Sequence, residues 1–278
     1  MAEYLAVDGG TIAYEVAGTG PLVVLAHGLG DSRAAYRSVV PPLVAAGYRV
    51  AAVDLRGCGE SSADWSDWSR TAIAGDLLAL VRHLGGPAVL VGHSIAGGAA
   101  TIAAAREPEL VSGLVELAPF TRKQSIRPGD LRIKRVRQGM LRLLGATVSG
   151  STRQWRAYLD VAYPGVRPAD WAGRLDHIDA MLREPGRRKA FTGMLRAAPA
   201  DAGAQLGGVR APVLVVMGTL DPDWADPHAE GAGIVAALPP GLGRVELVEG
   251  AGHYPHDQFP EQVVSLMLPF LKENAARA

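Results

Sequence analysis

Apolar positions along this chain fall into two recurring patterns. A continuous apolar run occurs at Pro21 to Ala26, and similar runs recur at Val50 to Val53, Ala88 to Val91, Leu114 to Leu117 (with Glu116 inside it), Pro212 to Val216 and Arg244 to Val248 (with Arg244 and Glu246). Continuous apolar runs of this length fit strands covered on both faces. Ahead of them, Leu5 and Val7 alternate with polar neighbours, Asp8-Gly9-Gly10 supplies a turn, and Ile12, Tyr14 and Val16 alternate again, which predicts a hairpin. Between the runs the period changes. Ile73, Leu77, Leu80, Val81 and Leu84 form one stripe of a helix over Ala72 to Leu84. Ile95 to Arg106 is a small-residue apolar helix, and Glu261 to Lys272 a closing helix interrupted near its end by Pro269. Strands that alternate with helices predict an α/β layered fold on a mostly parallel sheet.

Residues 120–206 break the alternation. Four helical stretches follow one another there without a strand: Leu131 to Leu144, Gln154 to Tyr163, Pro168 to Arg183 and Arg188 to Ala198. Such an insertion between two strands is expected to lie over the strand ends as a helical cap. The core is then 1–119 with 207–278. The insertion is also electrically distinct. It carries 17 Lys and Arg against 7 Asp and Glu, in a chain with 28 of each. The chain as a whole has no net charge, so there is no global pull toward nucleic acid or an anionic membrane surface.

Composition narrows the class further. The 278 residues are 48% hydrophobic and 20% charged, as expected of a globular chain with one sizeable core. No apolar run reaches the ~18 residues of a membrane span. Met1-Ala2-Glu3-Tyr4 has neither a basic start nor an apolar stretch, so no signal peptide is expected and a cytoplasmic location is the default. Cys58 is the sole cysteine, which excludes an internal disulfide, a Cys-pair redox centre and a thiolate metal cluster. No His, Cys or Asp group has metal-ligand spacing along the chain, and no glycine-rich loop fits a dinucleotide or phosphate motif.

The chemistry is concentrated in loops that follow the strand runs. Gly92-His93-Ser94-Ile95-Ala96-Gly97 follows the run 88–91, opens a helix, and reads as the G-x-S-x-G nucleophile elbow. A sharp turn there would lift the Ser94 hydroxyl clear of the sheet, beside the free N–H groups of a helix start. A serine hydroxyl needs a base. His253, in Gly250-Ala251-Gly252-His253 after the last strand run, is placed to be that base, with His256 as its rival. The imidazole needs an acid to fix its tautomer. Asp221 follows the run 212–216 and is preferred over Asp223 and Asp226. The backbone N–H of Ile95, and that of Leu29 in His27-Gly28-Leu29-Gly30, are the expected oxyanion donors.

Taken together, these segments resemble the α/β-hydrolase family, specifically its lidded serine-nucleophile members. The matching pieces are His27 to Gly30, Asp54 to Ser61, Gly92 to Gly98, Gly218 to Asp221 and Gly252-His253, in the family's order. The resemblance implies an eight-stranded, mostly parallel sheet with an antiparallel second strand, a helical cap after the sixth strand, and no cofactor. Ser94 stands where relatives acting on epoxides or haloalkanes typically carry Asp. The implied chemistry is therefore acyl transfer to water: on esters first, with thioesters, lactones, amides and carbon–carbon bonds on the same triad. Gly97-Gly98 also resembles the cofactor-free haloperoxidase and perhydrolase group, and a slow-turnover ligand receptor of the same fold is a further alternative. Cys58 departs from relatives that often carry His or an aromatic residue there, and is expected to be a small buried packing residue.

The expected partner is a small molecule. Phe120, Trp155, Tyr158 and Trp171 are the candidate pocket residues, among cap side chains most of which serve packing. The basic excess of the cap reads first as a solvated helical face. The alternative is steering of an anionic substrate, with Arg122, Lys123 and Arg127 nearest the expected mouth. Nothing in the sequence fixes the oligomeric state.

Overall fold

The computed structural model describes residues 1–197 and 200–275. Eight strands form one sheet: β1 (Glu3–Val7), β2 (Gly10–Ala17), β3 (Leu22–Ala26), β4 (Arg49–Val53), β5 (Ala88–His93), β6 (Val111–Leu117), β7 (Val213–Gly218) and β8 (Gly243–Val248). Their spatial order is β1-β2-β4-β3-β5-β6-β7-β8. β2 runs antiparallel to both β1 and β4, and every later pairing is parallel. The turn between β1 and β2 is tighter than the three residues read from sequence. Gly10 already pairs with Val7, and Gly9 takes φ 85°, a conformation open to glycine.

The helices are α1 (Val40–Ala45), α2 (Arg70–His83), α3 (Ile95–Arg106), α4 (Lys134–Ser149), α5 (Thr152–Ala162), α6 (Trp171–Arg183), α7 (Pro185–Arg196), α8 (Ala200–Gly203), α9 (Pro227–Ala237), α10 (Pro255–Gln258) and α11 (Pro260–Asn274). Both faces of the sheet are covered. Alternate residues of β3 show it: Val24 and Ala26 join one core with α2, α3 and α9, while Val23 and Leu25 join a second with α1 and α11. That double coverage is why the central strands carry no polar alternation. β8 departs from this reading. It is the sheet's edge, and Arg244 and Leu247 on it are exposed. The closing helix also departs: α11 continues through Pro269 to Asn274, because Phe270 and Leu271 are buried against the sheet. That burial offsets the ~3 kcal/mol a proline costs inside a helix.

Helices α4 to α7 stand between β6 and β7 and form a third apolar cluster around Trp155, Leu159, Ile178 and Phe191, joined by Tyr254 of the core. On α4, Val136, Gly139 and Ala146 are buried, while Leu144 is 55% exposed. The fourth stretch of the insertion was expected to reach Ala198; α7 ends at Arg196, and Ala198 itself lies outside the described residues. Among the described residues, no helix is long and apolar enough to cross a membrane.

Candidate active site

The site sits where three loops at the carboxyl ends of strands meet. β5 delivers Ser94 on the turn into α3, with φ 54° and ψ −118°, a strained backbone for a residue with a side chain. The surrounding hydrogen bonds hold that turn: Ser94 N–H donates to Leu117 O (3.0 Å), and the Phe120 N–H donates to Ser94 O (3.0 Å). Close approach explains the flanking glycines. A Cβ on Gly92 would lie 2.3 Å from Ala96 O, and one on Gly97 would lie 2.7 Å from the Pro119 ring. The motif therefore departs from G-x-S-x-G. Ala96 stands at its last position, and Gly97, one residue later, makes the contact that needs a glycine.

The loops after β7 and β8 are pressed together. A Cβ on Gly218 would fall 2.1 Å from Gly252 O. This contact brings Asp221 and His253 into register. His253 Nδ1 lies 2.9 Å from Asp221 Oδ2 and its Nε2 3.0 Å from Ser94 Oγ. All three residues are buried. The inserted segment takes part, since the His253 N–H donates to Ala162 O at the end of α5 (2.9 Å). His256, the rival, is elsewhere. It is fully buried, stacked on Tyr36 at 4.9 Å, and held down to about pKa 3, chiefly by burial.

The two acids left open by the sequence are both present. Asp223 Oδ2 lies 3.3 Å from the same His253 Nδ1 and accepts the Tyr158 hydroxyl, while its own N–H donates to Asp221 Oδ1 (2.9 Å). Burial raises the Asp223 carboxyl to about 6; the His253 ring pulls it down and the Asp221 carboxylate pushes it up. For His253, burial favours the neutral ring, but Asp221 and Asp223 outweigh it and raise its pKa. Asp226, the third acid weighed, caps α9 by accepting the Ala229 N–H. Asp221, Asp223 and His253 also bring ligand-type atoms within 4.8 Å of one another, a gathering that their spacing along the chain did not announce. Here Nδ1 is engaged by Asp221 and Asp223 Oδ2 by Tyr158, so the cluster is knit by hydrogen bonds.

Loop His27 to Gly30 lies against Ser94. A Cβ on Gly28 would meet His93 Nδ1 at 2.5 Å and Ser94 Cβ at 3.1 Å. The buried His27 ring sets one peptide plane in this loop. Its Nε2 accepts the Leu55 N–H (3.0 Å), so Nδ1 carries the proton and donates to Gly28 O (2.7 Å). The Leu29 N–H belongs to the same trans peptide and points the opposite way from that carbonyl. The Ile95 N–H is at the first turn of α3, where helix N–H groups lack an intrahelical partner.

Beside Ser94 and His253 lies a cavity of about 160 Å³, near the ~150 Å³ that accommodates a benzene-sized molecule. Three of the four candidate pocket residues line it: Phe120, Trp155 and Tyr158. Trp171 does not. It packs on Tyr163 (ring centroids 4.2 Å apart) and carries the Arg167 guanidinium 5.2 Å from its ring centroid. The sequence reading missed Arg70, Gln124, Leu143 and Tyr254, which line the cavity together with Met194 of the insertion. Leu143 and Met194 carry an ordinary core signal; Arg70, first in α2, carries only that of a helix start. Arg122, Lys123 and Arg127 are not at this cavity. Several of the insertion's cations pair with carboxylates instead: Arg122 with Glu230, Arg156 with Asp176, Arg174 with Asp31, and Arg187 with Glu184.

A buried hydroxyl bonded to an imidazole, itself bonded to a carboxylate, at the strand ends of an eight-stranded sheet of this order, defines the class of α/β-fold proteins with a Ser-His-Asp arrangement of side chains. Comparison with known proteins agrees. The sequence model of the alpha/beta hydrolase family matches residues 23–266, and the chain belongs to that family. A 2-(acetamidomethylene)succinate hydrolase of Mesorhizobium japonicum is 28% identical over 276 residues, covering 95% of this chain and 94% of its own. The esterase RhEst1 of Rhodococcus sp. ECU1013 superposes with a TM-score of 0.78 at 26% identity, over 98% of this chain and 99% of its own. The meta-cleavage product hydrolase of Pseudomonas fluorescens IP01 gives a TM-score of 0.78 at 19% identity over 98% and 97%, a likeness of fold alone.

Proposed function

We propose that this protein is a serine hydrolase that cleaves an ester-like bond of a small, partly apolar molecule through an acyl-enzyme. The observation that carries the reading is the continuous hydrogen-bonded chain from Ser94 Oγ through His253 to Asp221, opening onto a cavity with mainly apolar walls. In this reading Ser94 Oγ attacks the substrate carbonyl and its proton passes to His253 Nε2. Asp221 holds Nδ1–H and stabilises the imidazolium. The Leu29 and Ile95 N–H groups receive the charge that develops on the carbonyl oxygen. His253 then protonates the leaving group, and water, deprotonated by the same ring, resolves the acyl-enzyme and restores Ser94.

Residues 120–206 act as a cap in this scheme. Trp155, Tyr158 and Met194 from the insertion close the cavity over the core residues Leu29 and Ile95. The bond class extends to amides, since the Mesorhizobium japonicum relative is named for hydrolysing a substrate with an acetamido group.

The test is hydrolysis of p-nitrophenyl esters of increasing acyl length, with Ser94→Ala and His253→Ala alongside. Turnover that both substitutions abolish, with a short-chain optimum set by the small cavity, is the expected result. No turnover together with no fluorophosphonate labelling of Ser94 defeats the reading.

A further inference from the structure

Among the described residues lining the cavity beside Ser94, a single Lys, Arg, Asp or Glu is found: Arg70. It comes from the core, not from the basic insertion. Its side chain is buried, at 5% exposure. It runs across the start of α3 over Gly98, where a Cβ would lie 2.9 Å from its Cδ and 3.0 Å from its Nε. The glycine pair after the nucleophile thus has two separate tasks. Gly97 admits Pro119, and Gly98 leaves room both for Phe120 O, 2.8 Å from a Cβ there, and for the Arg70 side chain that donates to that carbonyl. Among the bonds that fix the guanidinium, Nε donates to Phe120 O (3.2 Å) and Nη1 to Ala197 O (3.4 Å). Phe120 and Ala197 line the same cavity, so these bonds hold the charge at its wall.

A charged fork at the wall of a small apolar cavity is a costly feature for packing alone. Burial, the largest influence on Arg70, disfavours its charged form more than the Asp201 carboxylate favours it. An anion entering the cavity would relieve that cost, and a planar guanidinium suits a carboxylate best among small anions. The other walls, such as Leu29, Ile95, Leu143 and Met194, offer apolar contact, and Gln124 an amide.

We propose that Arg70 is the anion-recognition residue of this site, and that the substrate carries a carboxylate beside the acyl bond that Ser94 attacks. The proposal rests on the hydrolase reading for the identity of the reacting bond, but not for the anion site itself. It also relocates the source of any preference for anions from the exposed arginines of the insertion to one buried side chain of the core.

Two probes separate the two readings. The first is a pair of esters of similar length, mono-p-nitrophenyl glutarate and p-nitrophenyl valerate, which differ in a terminal carboxylate. Wild-type kcat/KM is expected to favour the glutarate ester by roughly tenfold to a hundredfold, the worth of a charge-assisted hydrogen bond. Arg70→Gln should bring the ratio close to one, and Arg70→Lys should leave an intermediate ratio. Arg70→Lys also keeps the test open if the Gln variant does not fold. The second probe is calorimetric binding of glutarate to Ser94→Ala protein, which needs no turnover. Binding that weakens at least about tenfold when Arg70→Gln or Arg70→Lys is added supports the proposal. If glutarate binds in this Arg70-dependent way while neither ester is hydrolysed, the anion site stands and the hydrolase reading fails. If both esters are cleaved through Ser94 with a ratio near one, or with a ratio that neither Arg70 variant changes, the proposal is overturned and the hydrolase reading survives.

Discussion

Replacing Asp221 tests whether His253 is held by one acid or by two. The structure sets Asp221 Oδ2 at 2.9 Å and Asp223 Oδ2 at 3.3 Å from the same ring nitrogen. At an effective dielectric of about 20, a unit charge at either distance stabilises an imidazolium by about 5 kcal/mol, so the two fields are nearly equal. What differs is the hydrogen bond that fixes the tautomer, which Asp221 makes at the shorter distance. In Asp221→Ala the Nδ1–H is left facing Asp223. That acid also becomes easier to ionise, because the like charge that helped to raise it is gone. A triad stripped of its only acid loses about 10⁴ in kcat. Asp221→Ala alone should therefore cost about 10², Asp223→Ala less than about tenfold, and the double variant the full loss of about 10⁴. The product of the singles then falls short of the loss in the double variant by at least about tenfold, or at least about 1.4 kcal/mol of coupling. The assay is steady-state turnover of a short-chain p-nitrophenyl ester at pH 8, where Asp223 is ionised, with fluorophosphonate titration to count competent Ser94. If Asp221→Ala alone costs 10⁴ and adding Asp223→Ala changes nothing, the second carboxylate has no part in holding the ring.

Further outcomes follow from the same contacts. Asp223→Asn removes one of two charges that raise the His253 pKa; the ring then loses its proton at lower pH, and the acid limb of the kcat/KM profile should move down in pH. His27→Ala frees the Gly28–Leu29 peptide; kcat should fall by about tenfold to a hundredfold, short of the ~10²–10³ cost of deleting an oxyanion donor, with KM little changed. Glu116, fully buried in β6, accepts the Thr101 and Thr121 hydroxyls, and burial raises it to about 7. A folded-state carboxyl raised above its unfolded value holds its proton longer when folded, so stability falls as pH rises from the unfolded value toward 7. Glu116→Gln should remove that loss: denaturant melts at pH 5 and pH 8 should show the variant gaining on wild type by up to about 3 kcal/mol at the higher pH.

The parts legible in the sequence are those whose physics is local. Unbroken apolar runs announced the central strands because both sheet faces are covered, and Ser94 and His253 were legible because each follows such a run in a glycine-marked turn. β8 was read with the buried runs although Arg244 and Glu246 are polar at alternate places, the pattern of a strand with an open side. The choice between Asp221 and Asp223 was not available locally. Both follow β7 within three residues of each other, and what ranks them is a ring delivered by another loop and a hydroxyl delivered by α5. Trp171 and Tyr158 both carried aromatic signals in the insertion, yet Trp171 meets Tyr163 and Tyr158 meets Asp223. Arg70 shows the limit most clearly. As a residue at the start of a helix it reads as solvated, and its burial depends on Gly98, 28 positions later, leaving room for it. A glycine in a helix reads as a defect or a hinge until the side chain that crosses it is known. The candidate nucleophile and base were therefore written in single turns of the chain, whereas the cavity beside them is built by segments distant in sequence.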